Sequence, residues 1–405
     1  MRLQRESSLG KKNLVFLISA YCAFIIYAFY FNGFGSNAPV MMAYYGTTSA
    51  QQGFILTVQS IGALLAAIYL ALQGDRYNKI SAAAIGLLIV GVASFSIGFA
   101  PSYTQLLLLV VAAGVGYTIL DVMANGIIAE LFPNQKNTLL PLLHAFFGAG
   151  AMVTPLFVAS LANPYIPISF TRPFMLVGIL AFVVFVFFFI VSRRIMPETP
   201  YADMDKVKKH GSGDPAAIFK EKKAWLILVA GFLYFTFQVG LVSWLPSYCL
   251  EIGMDFSTAS GMLTAFFLGS LIMRFCGPLF LKKLTAQKAY IIFSLLTAAI
   301  IVAALFVTAP MVMIPFLIVG GFMQGSCVAF LFLMAVDAFP HMAGSASSLI
   351  LIAVNSAFMT APLWMGYIAE LTETGFRLPM LFICASLVFS VLVITCVNKN
   401  RNHSQ

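Results

Sequence analysis

Uncharged apolar runs as long as Phe174–Val191 and Ile291–Val307 leave this chain few ways to fold. A run of about 18 or more such residues spans the hydrocarbon core of a bilayer as a helix, since a helix satisfies its own backbone groups. Spans are expected near 14–36, 49–73, 80–100, 104–130, 139–161, 170–192, 223–248, 257–281, 287–307, 310–334, 343–369 and 375–397. Membrane β-barrels are excluded, because their strands alternate in polarity and run to only about 10 residues. Composition agrees. Charged residues make up 9% of the chain, against roughly 25% in a soluble domain, too few to cover a water-facing surface.

The two halves of the chain match at a constant offset of 207 residues. Pro39 pairs with Pro246, Gly46 with Gly253, Thr57 with Thr264 and Gly62 with Gly269. Gly114 pairs with Gly321, Phe132 and Pro133 with Phe339 and Pro340, Pro155 with Pro362, and Glu130 with Asp337. Any one match is cheap, but an ungapped register over five spans is not. The expected fold class is an all-α membrane protein of 12 transmembrane helices, in two six-helix bundles related by a pseudo-two-fold axis along the membrane normal. The expected domains are an N-terminal bundle over 1–192, a cytoplasmic linker over 193–222 rich in Pro, Gly, Ser and charges, and a C-terminal bundle over 223–405. Parallel repeats of this kind suit alternating access around a site near the midplane.

Basic residues set the orientation. With both termini cytoplasmic, 20 of the 23 Lys and Arg residues fall on the inner side, while Arg172 and Arg377 fall outside and Arg274 lies within a span. The net charge of +9 is therefore topological, and nucleic acid is not an expected partner. The expected location is an inner or plasma membrane, crossed many times by a monomer that contacts lipid and a small-molecule substrate. The first span is read as an uncleaved helix, since a small-residue cleavage site is lacking after Arg2, Arg5, Lys11 and Lys12. The six cysteines show neither a disulfide framework nor metal spacing. No nucleotide-binding glycine loop, zinc motif or nucleophile elbow appears, so no enzyme, metal or bound cofactor is expected.

The loop after the second span carries Ala71, Asp75, Arg76 and Lys79. With six plus six spans and a long inner central loop, it resembles the major facilitator superfamily, with Ala71 where that motif has Gly. The resemblance implies an inner gate in which Asp75 and Arg76 meet an acid at the end of the fourth span, here Glu130. Within the superfamily, Leu120, Asp121, Ala124 and Asn125, with Leu143, His144, Phe146 and Gly148, resemble the fucose–galactose–glucose:proton symporter family. That implies proton-coupled uptake of a monosaccharide or similar small polar solute. Those members carry a second carboxylate on the first span, where this chain offers Asn32 and Asn37 instead.

Asp121 lies nine residues before Glu130, roughly 13 Å from the inner end of its span. A charge at that depth costs about 2.5–3.5 kcal/mol, so such residues are rarely idle. Asp121, with His144 entering from the fifth span, is the expected proton-coupling site, the proton being the coupling ion; the alternative is a static hydrogen-bonded pair. Asn32, Asn125, Tyr234, Gln238, Trp244, Gln324 and Asn355 are the candidate substrate-binding groups, each with a competing role as helix–helix glue. Trp244 also suits an interfacial anchor. Arg274 has three readings: snorkelling to the inner face, pairing with Asp337 at the inner gate, or binding an anionic substrate. The competing functional class is a proton-driven exporter of amphipathic compounds or drugs, although packing accounts for most of the 39 Phe and 19 Met residues.

Overall fold

The computed structural model of the chain describes residues 2–73, 78–132, 135–195, 215–280, 283–339 and 342–399. These residues are almost wholly helical. Six helices come from the first half of the chain: α1 (Arg2–Tyr45), α2 (Ser49–Gln73), α3 (Lys79–Ile97), α4 (Tyr103–Leu131), α5 (Lys136–Leu161) and α6 (Thr171–Ile195). Seven come from the second: α7 (Lys222–Glu251), α8 (Phe256–Phe280), α9 (Ala286–Ala304), α10 (Pro310–Gln324), α11 (Cys327–Ala338), α12 (Ala343–Leu371) and α13 (Arg377–Lys399). Together α10 and α11 form the tenth span, interrupted at Gly325–Ser326. Among the described residues, 12 segments are long and apolar enough to cross a membrane, as expected.

Local chemistry places the helix ends. Asn78 caps α3 by accepting from the Ser81 N–H at 3.0 Å. Ser102 caps α4 through the Gln105 N–H, and Thr285 caps α9 through the Lys288 N–H. The chain leaves α1 and α7 at Gly46 (φ 63°) and Gly253 (φ 91°), left-handed conformations that glycine adopts at no steric cost. These glycines are repeat mates. So are Thr48 and Asp255, the residues that cap the helices that follow. The Thr48 hydroxyl accepts from the Gln51 N–H at 3.2 Å, and Asp255 Oδ1 accepts from the Ser257 and Thr258 N–H groups, both at 3.0 Å.

The repeat also holds in three dimensions. A Cβ on Gly62 would strike the Val111 carbonyl, and one on Gly269 would strike the Ile318 carbonyl. Gly114 lies against the Gln59 carbonyl and Gly321 against that of Phe266. Val111 and Ile318, like Gln59 and Phe266, are 207 positions apart. The α2/α4 crossing and the α8/α10 crossing therefore use the same small residues at the same heights. In lipid, where apolar burial gives no drive for helices to associate, such backbone approach is what holds crossings together.

Packing divides the chain into two compact units. The first holds Met1–Phe31, Val58–Ala151 and Thr171–Ser212; the second holds Asn32–Thr57, Met152–Phe170 and Gly213–Gln405. The ends of α1, α2 and α5 thus belong with the C-terminal half of the chain. Inside the second unit these ends form a tight seam. Cβ atoms on Gly53 and Gly366 would strike the backbones of Pro362 and Ser49. Thr57 Oγ1 donates to the Met359 carbonyl at 2.6 Å, and the Ala50 N–H donates to Glu370 Oε1 at 2.6 Å.

Candidate coupling and substrate site

In the first unit, the polar centre is built on α4. Asn125 Nδ2 donates to Asp121 Oδ1 at 2.8 Å, and to the Asp121 carbonyl at 2.8 Å. One helical turn brings the two side chains together. His144 of α5 lies within electrostatic reach of the Asp121 carboxylate, as do the phenols of Tyr27 and Tyr117. The carboxylate is half-buried and the imidazole exposed, with the His144 ring edge-on to Phe24 at 5.8 Å. Beside them is an aromatic wall. Tyr27 stacks on Tyr117 at 5.1 Å and meets Phe147 at 4.8 Å, and Phe31 stands edge-on to Tyr117 at 5.5 Å.

The second unit has a different centre. Gln324 Nε2 donates to the Tyr234 hydroxyl at 2.7 Å, and both residues are fully buried. The Tyr234 ring meets Tyr290 at 5.9 Å; the Tyr290 hydroxyl shares a hydrogen bond with Ser390 at 2.5 Å, and Ser390 donates to the Ala230 carbonyl at 2.6 Å. Arg274 on α8 is half-buried and interacts electrostatically with Tyr234. It lies level with Gly325–Ser326, because the Ser326 hydroxyl donates to the Met273 carbonyl at 3.0 Å and Gly277 packs on Ser326. Asp337 is exposed in the last turn of α11, 11 residues beyond Ser326, or about 16 Å along the helix. That placement sets Arg274 with Tyr234 rather than with Asp337.

The other candidates scatter. Trp244 donates from Nε1 to the Pro362 carbonyl at 3.1 Å and stacks on Phe376 at 4.5 Å, so in this conformation it is part of the packing. Asn355 Nδ2 donates to the Leu351 carbonyl on its own helix at 2.9 Å. Asn32 is buried in α1. Gln238 is half-buried on α7, and its Oε1 is buried without a hydrogen-bond partner. Lys79, at the start of α3, forms an ion pair with Glu130 at the end of α4. Asp75 and Arg76 lie outside the described residues.

Tyr27 and Tyr117 were not among the residues read from the sequence, yet the repeat pointed to them. Tyr27 is the mate of Tyr234, and Tyr117 is the mate of Gln324. One position, where the first helix of each half meets the fourth, thus holds a tyrosine pair in one unit and a tyrosine–glutamine pair in the other.

Comparison with known proteins agrees with this architecture. The Major Facilitator Superfamily profile matches residues 20–362. A niacin transporter, NiaP of Acinetobacter baylyi, is 26% identical over 155 residues, covering 38% of this chain and 34% of the relative. The inner membrane transport protein YdiN of Escherichia coli is 21% identical over 276 residues, 66% of this chain and 63% of the relative. The chain thus matches less than two thirds of the length of each. Among solved structures, a variant of the nucleoside transporter NupG superposes with a TM-score of 0.78 at 14% identity, covering 95% of this chain and 99% of that one. A bacterial homologue of the human lysosomal transporter Spinster, inward-facing and unoccupied, gives 0.76 at 15% identity over 95% of each chain. A D-xylose–proton symporter gives 0.74 at 13% identity, covering 94% of this chain and 96% of that one. At these identities the structural likeness speaks for the fold alone.

Proposed function

The chain belongs to the major facilitator superfamily of membrane transporters, and on that footing we propose that it is a proton-coupled symporter of a small, ring-bearing polar solute, a monosaccharide or a compound of similar size, working by alternating access. The observation that carries this reading is the Asp121 centre. A carboxylate in the middle of α4, held by Asn125 and within reach of His144, is expensive to keep in a membrane and suited to taking up and releasing a proton. One charge crossing 100 mV is worth about 2.3 kcal/mol, enough for roughly a fifty-fold gradient of a neutral solute.

The aromatic wall of Tyr27, Phe31, Tyr117 and Phe147 stands next to that carboxylate and offers a flat apolar face to a ring. The names of the similar proteins point the same way, since niacin, nucleosides and xylose are all rings that carry polar groups. The positive-inside distribution supports cytoplasmic termini. In that orientation the Gly53–Pro362 and Ser49–Gly366 seam lies at the outer face and is shut, while the Lys79–Glu130 pair lies at the inner ends of α3 and α4.

Liposomes containing the purified protein test the coupling. Substrate-driven proton influx is expected, and Asp121→Asn should abolish uphill uptake while sparing solute exchange. Accumulation by Asp121→Asn at the native level would end the proton-coupling reading.

A further inference from the structure

Arg274 has no part in the coupling centre, and its placement calls for its own explanation. It sits six residues before the end of α8, about 9 Å from that end. Helical side chains leave the backbone toward the N-terminus of their helix. The Cα–Cβ bond of Arg274 therefore leans toward the middle of the span, and Tyr234, which lies deeper along α7, is its electrostatic neighbour. Its helix face is also the interior one. The exposed apolar stripe of α8 runs through Leu268, Ile272 and Phe275, and Arg274 lies about 200° round the helix from Ile272. Ser270, Met273 and Gly277 on the same interior side are buried, but Arg274 remains half-exposed. Its accessibility thus comes from the side turned away from the lipid stripe.

We propose that Arg274 is the anion-binding residue of a substrate site in the second unit, and that the transported solute is a small organic acid held through its carboxylate. This rests on the transport reading above and narrows its substrate class. A guanidinium offers a planar fork of donors that matches a carboxylate in two parallel hydrogen bonds. Tyr234 acts as a positioning residue. Locked by Gln324 and packed on Tyr290, it gives the arginine a rigid polar backing and is too buried to touch a solute itself. The charge balance follows. One monoanion carried inward with one proton moves no net charge, so uptake of such an acid answers to the pH gradient and not to membrane voltage.

Thermal-shift measurements on the purified full-length protein provide the test, using nicotinate against nicotinamide and galacturonate against galactose. The acid of at least one pair should raise the melting temperature at a concentration where its uncharged counterpart does not. Arg274→Met should remove that preference, weakening acid binding by about tenfold or more. Should Arg274→Met fail to fold, Arg274→Lys keeps the charge without the fork, and its acid affinity should fall severalfold. Uncharged counterparts binding as well as the acids in every pair, an acid preference surviving in Arg274→Met, or undiminished acid affinity in Arg274→Lys would overturn the proposal. Asp121→Asn separates the two readings. Acid binding that needs Arg274, together with accumulation that ignores Asp121, defeats proton coupling and leaves the anion site standing; the reverse pattern defeats the anion site alone.

Discussion

Tyr27 and Tyr234 are the same residue in the repeat and are held in different ways. Tyr27 is fixed by rings, Tyr117 and Phe147 among them, and a phenylalanine keeps those contacts. The Tyr234 hydroxyl is the acceptor for the buried Gln324 amide. Tyr234→Phe leaves that amide without its partner, at a cost of about 1–3 kcal/mol, whereas Tyr27→Phe should change stability much less. Melting temperatures of the two variants check this, and an equal loss in both would contradict it. Asp121 was legible in the sequence because an acid amid apolar residues stands out. The aromatic wall beside it carries no local signal, being four more rings among 39 Phe and 15 Tyr; only the repeat marks two of them, Tyr27 and Tyr117, and nothing in the sequence marks Phe31 and Phe147.

At the scale of the element, the glycine crossings make a paired prediction. Gly62→Leu and Gly269→Leu each push a side chain into the backbone of the crossing helix, at Val111 and Ile318. Overpacking of this kind costs about 1–3 kcal/mol, occasionally more, and the two variants should lower yield and melting temperature to a similar degree. A strong effect in only one would show that the repeat does not carry equal weight in both halves. The start of α8 gives a pH-dependent case. The Thr258 hydroxyl and the Ser257 and Thr258 amides hold the Asp255 carboxyl below its ordinary value. A lowered carboxyl contributes stability above its unfolded pKa, about 3.9, and loses that contribution as pH falls through the folded value. Asp255→Ala should therefore melt earlier than the native protein at neutral pH, with the gap closing in acid. The helices themselves were legible from apolar length. The interruption of the tenth span was not, because Gly325 and Ser326 are unremarkable in a membrane helix and the break shows only against Ser270 and Met273 of α8.

For the whole molecule, the seam of the second unit is the part that alternating access must open. Ser49 and Gly366 are in backbone contact there, and a side chain on Gly366 would strike the Ser49 carbonyl. Gly366→Leu should therefore wedge the seam apart and lose most transport, while Gly46→Asn, where a side chain would meet nothing and asparagine tolerates the left-handed backbone, gives the control for a glycine change outside the seam. Full transport by Gly366→Leu in liposomes would show that the seam need not close during the cycle. The membrane spans, the duplication and the rarity of interior charge can all be read from the residue order alone. Those follow from the free energy of placing each residue type in hydrocarbon, which every position reports independently. It took the packed helices to set Arg274 at the height of Ser326 and not of Asp337, to tie Trp244 and Gln324 into the packing, and to join the ends of α1, α2 and α5 to the C-terminal half. Those outcomes depend on which helices approach within hydrogen-bonding distance and at what height, and a one-dimensional pattern of polarity does not encode that choice.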